Sequence, residues 1–160
     1  MAKYLTFLLF IIFLGCEINS EQLVKSEKFN FQNVHFNAVS KDLKFSEFQE
    51  DPDIDLTKKL LNNWFNNNIK ISGLDGNLLV KVSSIDINKI KKKEYYRFEI
   101  NLKIFFIETN EILNKKKTYN VNTVDYGEIE GEFSIRDMEI LNENIILKSI
   151  KNVSQKLISM

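Results

Sequence analysis

What this sequence has little of excludes several kinds of site. The 160 residues include one histidine (His35), one cysteine and one proline, and the 22 basic and 22 acidic side chains cancel. A metal site built from nitrogen and sulfur ligands needs more of them than the chain has. A neutral chain also has no overall field that attracts nucleic acid. We therefore predict no cofactor, no metal centre and no nucleic-acid partner.

The sequence patterns of common enzymes are missing as well. No glycine-rich phosphate loop and no dinucleotide fingerprint occur. His35 alternates with Phe36 on a predicted strand, so it is expected on the surface, with no local serine or threonine partner. Two carboxylates alone suffice for glycoside hydrolysis, so that alternative stays open. The sequence otherwise favours a protein that is not an enzyme.

The N-terminus carries the one long apolar run. Leu5 to Leu14 is almost unbroken, but about ten residues are half of the roughly 20 that a membrane-spanning helix needs. This length predicts a signal peptide over residues 1–15. The sequence Phe-Leu-Gly-Cys16 at its end resembles the lipobox of bacterial lipoproteins. The resemblance implies that Cys16 becomes the first mature residue and carries fatty acids such as palmitate. An ordinary secretory signal with an incidental cysteine is the alternative.

The residues after Cys16 concern the anchor and its membrane. Two or more acyl chains hold a protein stably in a bilayer. Residues 16–28 are polar after the cysteine and show no sustained period, which predicts a flexible tether. In the lipoproteins that this region resembles, aspartate after the cysteine retains the protein at the inner membrane. Glu17 stands there instead, so we expect a periplasmic domain anchored at the outer membrane.

The sequence clearly predicts one long strand. From Tyr95 to Ile107 apolar and polar residues alternate, which is the pattern of a strand with one buried face. Each fully buried apolar side chain stabilises the fold by about 1.5–3 kcal/mol. The predicted inner face consists of Tyr96, Phe98, Ile100, Leu102, Ile104 and Phe106.

Two stretches have the spacing of amphipathic helices. The first is capped by Asp53 or Asp55 and ends near Asn68, and Trp64 lies on its apolar stripe as a core residue. The second begins at Ser134, with Asp137 three residues later in a capping-box-like start, and is about 25 residues long. Both stripes predict helices that cover the buried face of a sheet.

The remaining elements complete one domain over residues 29–160. A short strand is predicted at Val34–Ala38, a bulged strand at 78–87, and a return strand at 112–123. We predict an α+β fold with a mixed, mainly antiparallel sheet of three to five strands, and both helices packed on one face. An acidic loop is expected at 125–132. It could supply calcium ligands, although it lacks the spacing of a calcium loop.

Two lysine clusters are predicted at opposite ends of the hairpins. They could meet the phosphates of lipopolysaccharide or of anionic lipid headgroups. The alternative, which we favour, is solubilising charge on turns and on an edge strand. The clusters are Lys91, Lys92 and Lys93, and Lys115, Lys116 and Lys117.

The order of elements resembles a type of small bacterial envelope lipoprotein. It is similar to the lipopolysaccharide-assembly lipoprotein, which plugs the outer-membrane translocon barrel, and to alphaproteobacterial lipoproteins of the same layout. In the latter, the segments 53–71, 96–107 and 128–157 are the closest in pattern. The resemblance implies a non-catalytic interaction module in envelope assembly, possible partners being the membrane itself and an envelope protein or lipid. Glu17-Ile18 departs from the glycine and aromatic residue of the assembly lipoproteins.

Two alternatives to this function follow from the same observations. One is an accessory lipoprotein of a lipid transporter. The other is a hydrolase that acts on a cell-envelope substrate, for which a pocket with converging carboxylates is needed.

Overall fold

The computed structural model describes residues 24–160, so the predicted signal peptide and Cys16 lie outside the described residues. The predicted α+β class is confirmed. No helix in this part of the chain is long and apolar enough to cross a membrane. In chain order the elements are β1 (Val34–Phe36), β2 (Ser40–Phe45), α1 (Pro52–Asn68), β3 (Ile69–Ile71), β4 (Asn77–Lys92), β5 (Tyr95–Asn110), β6 (Lys115–Glu130) and α2 (Ile135–Ile158).

The main sheet has four strands in the order β2-β4-β5-β6. Strand β2 is parallel to β4, whereas β4, β5 and β6 form an antiparallel meander. The register of β4 shifts between Val82 and Ser84, so the predicted bulge is confirmed. Strands β1 and β3 form a separate parallel pair. Each meander strand has 16 residues, which makes the sheet about 50 Å long.

The core lies between one face of this sheet and both helices. Phe98 and Phe106 have no exposed surface, and the other four predicted inner residues of β5 are also buried. Trp64 of α1 meets Phe106 edge-on, with 6.4 Å between the ring centroids. Ile146 and Ile150 of α2 are fully buried. The interpretation of Trp64 as a core residue is therefore confirmed.

The helix starts follow from hydrogen bonds in the first turn. The capping box of α2 is confirmed: the Ser134 hydroxyl accepts from the Asp137 N–H, and the Asp137 carboxylate accepts from the Ser134 N–H. The N-cap of α1 is Asp51, two residues before the nearer of the two predicted caps, and it accepts the Asp53 N–H at 2.8 Å. Pro52 occupies the first turn, where its missing N–H costs nothing.

The predicted acidic loop is wrong, since β6 continues through it to Glu130. Asp125 points to the inner face, is 6% exposed, and accepts two contacts from the Asn152 amide at 2.8 and 3.0 Å. Glu128 points to the outer face and pairs with Arg97 at 3.0 Å. Because the acids lie on opposite faces of a strand, they do not form a calcium site. Residues 24–160 contain no cluster of metal-binding side chains.

The end of the predicted tether packs against α2. Val24 is partly buried against the core. The Glu27 N–H donates to the Asn144 side-chain oxygen at 3.0 Å, and the Asn144 amide donates to the Lys25 carbonyl at 2.9 Å. Val24, Lys25 and Glu27 are therefore in contact with the folded domain.

Candidate functional site

The two ends of the sheet differ in what they present. Val24 contacts Asp137 in the first turn of α2, and Glu94 of the β4–β5 turn accepts the Gly131 N–H at 3.0 Å. The chain thus enters the fold at the end that carries Lys91–Lys93, which we name the entry end. The opposite end, where β5 turns into β6, is the distal end.

The predicted lysine clusters lie at these two opposite ends. Lys91 pairs with Tyr96 at the start of β5, whereas Lys115 pairs with Asn110 at its end. The 16 residues of β5 separate the clusters by about 50 Å. They are therefore two separate patches, and no single headgroup can touch both.

The distal end carries a group of exposed apolar side chains that the sequence did not reveal. Leu74, from the β3–β4 loop, is 100% exposed, and Ile112 and Leu113, from the β5–β6 turn, are 80% and 61% exposed. The Ile112 N–H donates to the Asp75 carboxylate at 2.8 Å, which ties the two loops together. We name Leu74, Ile112 and Leu113 the apolar tip.

The backbone around the apolar tip is fixed by local chemistry. Gly76 has φ +88°, and a Cβ there would lie 1.9 Å from the Thr109 carbonyl oxygen, so only glycine fits. Asn114 has φ +46°, a conformation that asparagine tolerates better than most residues. The Leu113 N–H donates to the Asn110 side chain at 2.7 Å. The tip is therefore held by specific turns rather than by chance packing.

Charges of both signs surround the apolar tip. Lys115, Lys116 and Lys117 follow it directly and are exposed, while Asp75 and Glu111 lie within the two loops. Exposed apolar side chains with a polar surround are typical of surfaces that bind another molecule. The tip offers contact area but no group arranged for bond-making chemistry.

Two cavities among the described residues differ in the carboxylates that line them. A distal cavity of about 260 Å³ is lined mainly by apolar side chains, with His35 and one carboxylate, Glu108. A larger groove of about 430 Å³, near the start of α1, has four carboxylates along it. Two of them are already engaged, since Asp51 pairs with Lys89 at 3.2 Å and Asp86 accepts from Ser84 at 2.6 Å.

A polar network at the entry end ties four elements together. Lys89 of β4 pairs with Asp51 and Asp53 at the start of α1. Asp53 accepts from the Asn142 amide at 3.1 Å, and Asn142 accepts from the Tyr96 hydroxyl at 2.9 Å. Burial lowers the pKa of Lys89 less than its bonds to Asp53 and Asp51 raise it, so the net shift is upward. The network is fully partnered and therefore acts as structure.

Comparison with known proteins gives structural matches only. No protein-family model and no curated protein matches the chain. A minor lipoprotein from Acinetobacter baumannii has 10% identity and a TM-score of 0.46, over 75% of this chain and 90% of that one. Rare lipoprotein B from Shewanella oneidensis has 12% identity and a TM-score of 0.42, over 75% and 94%. A Caulobacter crescentus chain described as a lipoprotein has 10% identity and a TM-score of 0.40, over 73% and 88%. The chain is structurally similar to bacterial lipoproteins of this kind, and the predicted resemblance is confirmed.

Proposed function

We propose that this protein is a lipid-anchored, non-catalytic interaction module on the periplasmic side of the cell envelope, acting in envelope assembly at the outer membrane. The observation that carries the proposal is the apolar tip, in which Leu74, Ile112 and Leu113 are 100%, 80% and 61% exposed. Large aliphatic side chains are costly to keep in water, and two hydrogen-bonded loops present them together. A binding partner that covers them removes that cost.

The position of the chain entry supports an arrangement relative to the membrane. Eight Cα-to-Cα steps join Cys16 to Val24 (24 − 16), and fully extended they span at most about 28 Å. A lipid on Cys16 keeps the entry end near the bilayer, with Lys91–Lys93 closest to the headgroups. The apolar tip then lies about 50 Å further out, on the scale of the 16-residue strands. We therefore propose an envelope protein that extends into the periplasm as the partner of the tip, the first candidate being a part of the translocon that extends from the barrel into the periplasm.

A second candidate function rests on the lysines beside the tip. Lys115–Lys117 follow Leu113 after one residue. Aliphatic side chains next to cationic ones suit an amphiphile with acyl chains and phosphates, such as lipopolysaccharide. This arrangement favours an accessory lipoprotein of a lipid transporter.

The test replaces the apolar tip in the full-length protein. We expect Leu74→Ser/Ile112→Ser/Leu113→Ser to leave the fold intact, because these side chains are exposed, and to abolish co-purification with the translocon barrel. The matched control is Ile90→Ser/Ile135→Ser, two exposed apolar residues (39% and 70%) at the entry end. An outer membrane that stays intact with the tip variant, together with unchanged barrel recovery, counts against the assembly function.

Substitution of the three lysines distinguishes the second candidate function from the first. Lys115→Gln/Lys116→Gln/Lys117→Gln removes the charge and keeps the aliphatic residues of the tip. Loss of lipopolysaccharide binding by the purified protein, with barrel recovery unchanged, favours the lipid-transporter function. If lipopolysaccharide binding and barrel recovery are both unchanged, the result favours the protein-contact function.

A further inference from the structure

Strand β6 is an edge strand along its whole length. It pairs with β5 on one side, and no strand among residues 24–160 lies on its other side. With sixteen residues, this edge is long. An unpaired edge presents main-chain groups that can pair with another strand. What such an edge can bind depends on which residues face outward.

A hydrogen bond between β4 and β5 shows which residues of β6 direct their main-chain groups to the free edge. The Lys103 carbonyl of β5 accepts from Ser83 of β4 at 3.0 Å, so Lys103 points its main chain toward β4. Lys103 pairs with Asn122 across the β5–β6 ladder. Main-chain groups of successive residues point to opposite sides of a strand. The even-numbered residues of β6, Asn122 among them, therefore direct their N–H and C=O groups to the free edge.

An independent contact agrees with this assignment. The Asn122 carbonyl accepts a hydrogen bond from the Lys156 ammonium of α2. The same even-numbered residues carry their side chains on the outer face, since Val121, Thr123 and Asp125 are buried on the inner one. One flexible lysine thus covers one carbonyl at the centre of an otherwise open edge.

The charges along β6 are opposite at its two ends. Lys115–Lys117 open the strand, and Glu128 and Glu130 close it. Between residues 118 and 124 no side chain is charged, and Val124 and Tyr126 are 58% and 54% exposed. The centre of the edge is thus uncharged, and depletion of charge at the centre is typical of protein interfaces. Two β6 strands that run antiparallel therefore bring the lysines of one copy close to the glutamates of the other.

We propose that two copies of the chain pair through β6, antiparallel and around a two-fold axis at Thr123. The two four-stranded sheets become one continuous sheet with both helical layers on the same side. In this register Lys116 lies opposite Glu130 of the second copy, and Asn122 lies opposite its Val124. A register shifted by two residues would place Lys116 opposite Glu128, but Glu128 is already paired with Arg97 at 3.0 Å. Because the two strands run antiparallel, the entry end of one copy lies beside the distal end of the other. This dimer and the upright arrangement of the lipid-anchored protein are therefore alternatives.

The experiment measures the mass of the mature chain with Cys16→Ser, so that no lipid or detergent is needed. Sedimentation velocity over a range of concentrations is expected to show a monomer–dimer equilibrium. Lys116→Glu alone, or Glu130→Lys alone, places like charges opposite each other twice in each dimer and is expected to weaken it about tenfold or more. The control Lys91→Glu, at the entry end and off β6, is expected to leave the equilibrium unchanged.

Mixing the two variants gives the decisive result. In the mixed dimer both end pairs are attractive again, so we expect Lys116→Glu and Glu130→Lys to form a heterodimer that is tighter than either homodimer. Both residues are exposed, and circular dichroism checks that the variants fold. If either does not, Lys116→Gln and Glu130→Gln replace them, and each is expected to weaken the dimer.

Three outcomes overturn the proposal. The first is a chain that stays monomeric at every concentration, in which case the lysines only protect the edge. The second is a dimer that neither reversal weakens. The third is a mixture that stays monomeric, since this excludes the pairing of Lys116 with Glu130.

Discussion

Phe98 and Arg97 are neighbours in the sequence that face opposite sides of β5. Phe98 has no exposed surface. Arg97 lies on the outer face, pairs with Glu99 at 2.8 Å and Glu128 at 3.0 Å, and stacks over the Tyr126 ring at 4.4 Å. The strict alternation of this strand made both positions predictable, because a period of two leaves no other assignment of faces.

We expect Phe98→Asp to prevent folding and Arg97→Asp to leave a folded protein. The first places an unpaired carboxylate among apolar side chains, which costs several kcal/mol, enough to unfold a marginally stable domain. The second loses ion pairs on the solvent-facing side of the sheet, which contribute little because water screens them. Urea unfolding followed by circular dichroism measures both. Equal stability of the two variants contradicts the assigned faces.

Gly76 and Gly131 share the same backbone conformation but differ in their surroundings. Both have φ +88°, yet a Cβ at Gly76 meets the Thr109 carbonyl oxygen at 1.9 Å, whereas a Cβ at Gly131 has nothing within 4 Å. We expect Gly131→Ala to cost about 1–2 kcal/mol, from the left-handed backbone alone. Gly76→Ala is expected to cost about 1–3 kcal/mol more, because the turn must move. Similar unfolding free energies of the two variants contradict the close approach at Gly76.

The residues of the apolar tip show where sequence analysis failed. Ile112 and Leu113 were predicted to open the return strand, since adjacent apolar residues after a polar turn usually enter a sheet. In the structure they lie in the turn itself, and β6 begins at Lys115. Their exposure depends on Asp75, which is distant in sequence and holds the turn through the Ile112 N–H. A contact of that kind leaves no local pattern.

At the scale of elements, the start of α2 is sensitive to acid. The side-chain and backbone hydrogen bonds with Ser134 lower the pKa of Asp137 below its ordinary value of 3.8. A carboxylate with a lowered pKa stabilises the folded state above that ordinary value, and the contribution is lost as the pH falls through the lowered pKa. The capping box is therefore a pH-dependent stabiliser of α2.

We expect Asp137→Asn to lower the unfolding free energy at pH 7. The difference from the wild type is expected to shrink as the pH falls below about 4, because protonation removes the same charge from the wild type. Glu139→Gln, an exposed acid on the same helix, serves as the control and is expected to change little. Chemical unfolding at pH 7, 4 and 3 measures the effect. A difference that does not depend on pH contradicts the ionised capping box.

The end of β6 shows why an element boundary could not be read from the sequence. Asp125, Glu128 and Glu130 make the segment look like a solvated loop. Asp125 is nevertheless buried in a strand, because Asn152, 27 residues away on α2, donates to both of its oxygens. The strand also depends on Gly127, where a Cβ would lie 2.7 Å from Ile145. Both reasons are tertiary, so propensity alone predicts a loop.

At the scale of the whole molecule, the order of elements along the chain was predictable from the sequence. The pairing of strands within the sheet was only partly predictable. Short polar turns fix the antiparallel meander β4-β5-β6, since a tight hairpin allows no other pairing. The parallel pairing of β2 with β4, across α1 and β3, has no such local cause. The separation of the two lysine clusters followed from the meander, whereas the docking of residues 24–28 on Asn144 did not.

That docking leads to a prediction about how the molecule stands on a membrane. If Cys16, the one cysteine of the chain, is lipidated as we propose, its thiol is consumed, and Lys93→Cys and Leu113→Cys each introduce a single free thiol for a fluorophore. In vesicles that contain headgroup-linked quenchers, we expect strong quenching at position 93 and little at position 113. The reason is the distance: the tether spans at most about 28 Å and the sheet about 50 Å. Cys16→Ser, which removes the lipid, is expected to abolish quenching at both positions. Equal quenching of the two lipidated variants would mean that the domain lies flat on the bilayer, and the apolar tip would then face lipid rather than a protein.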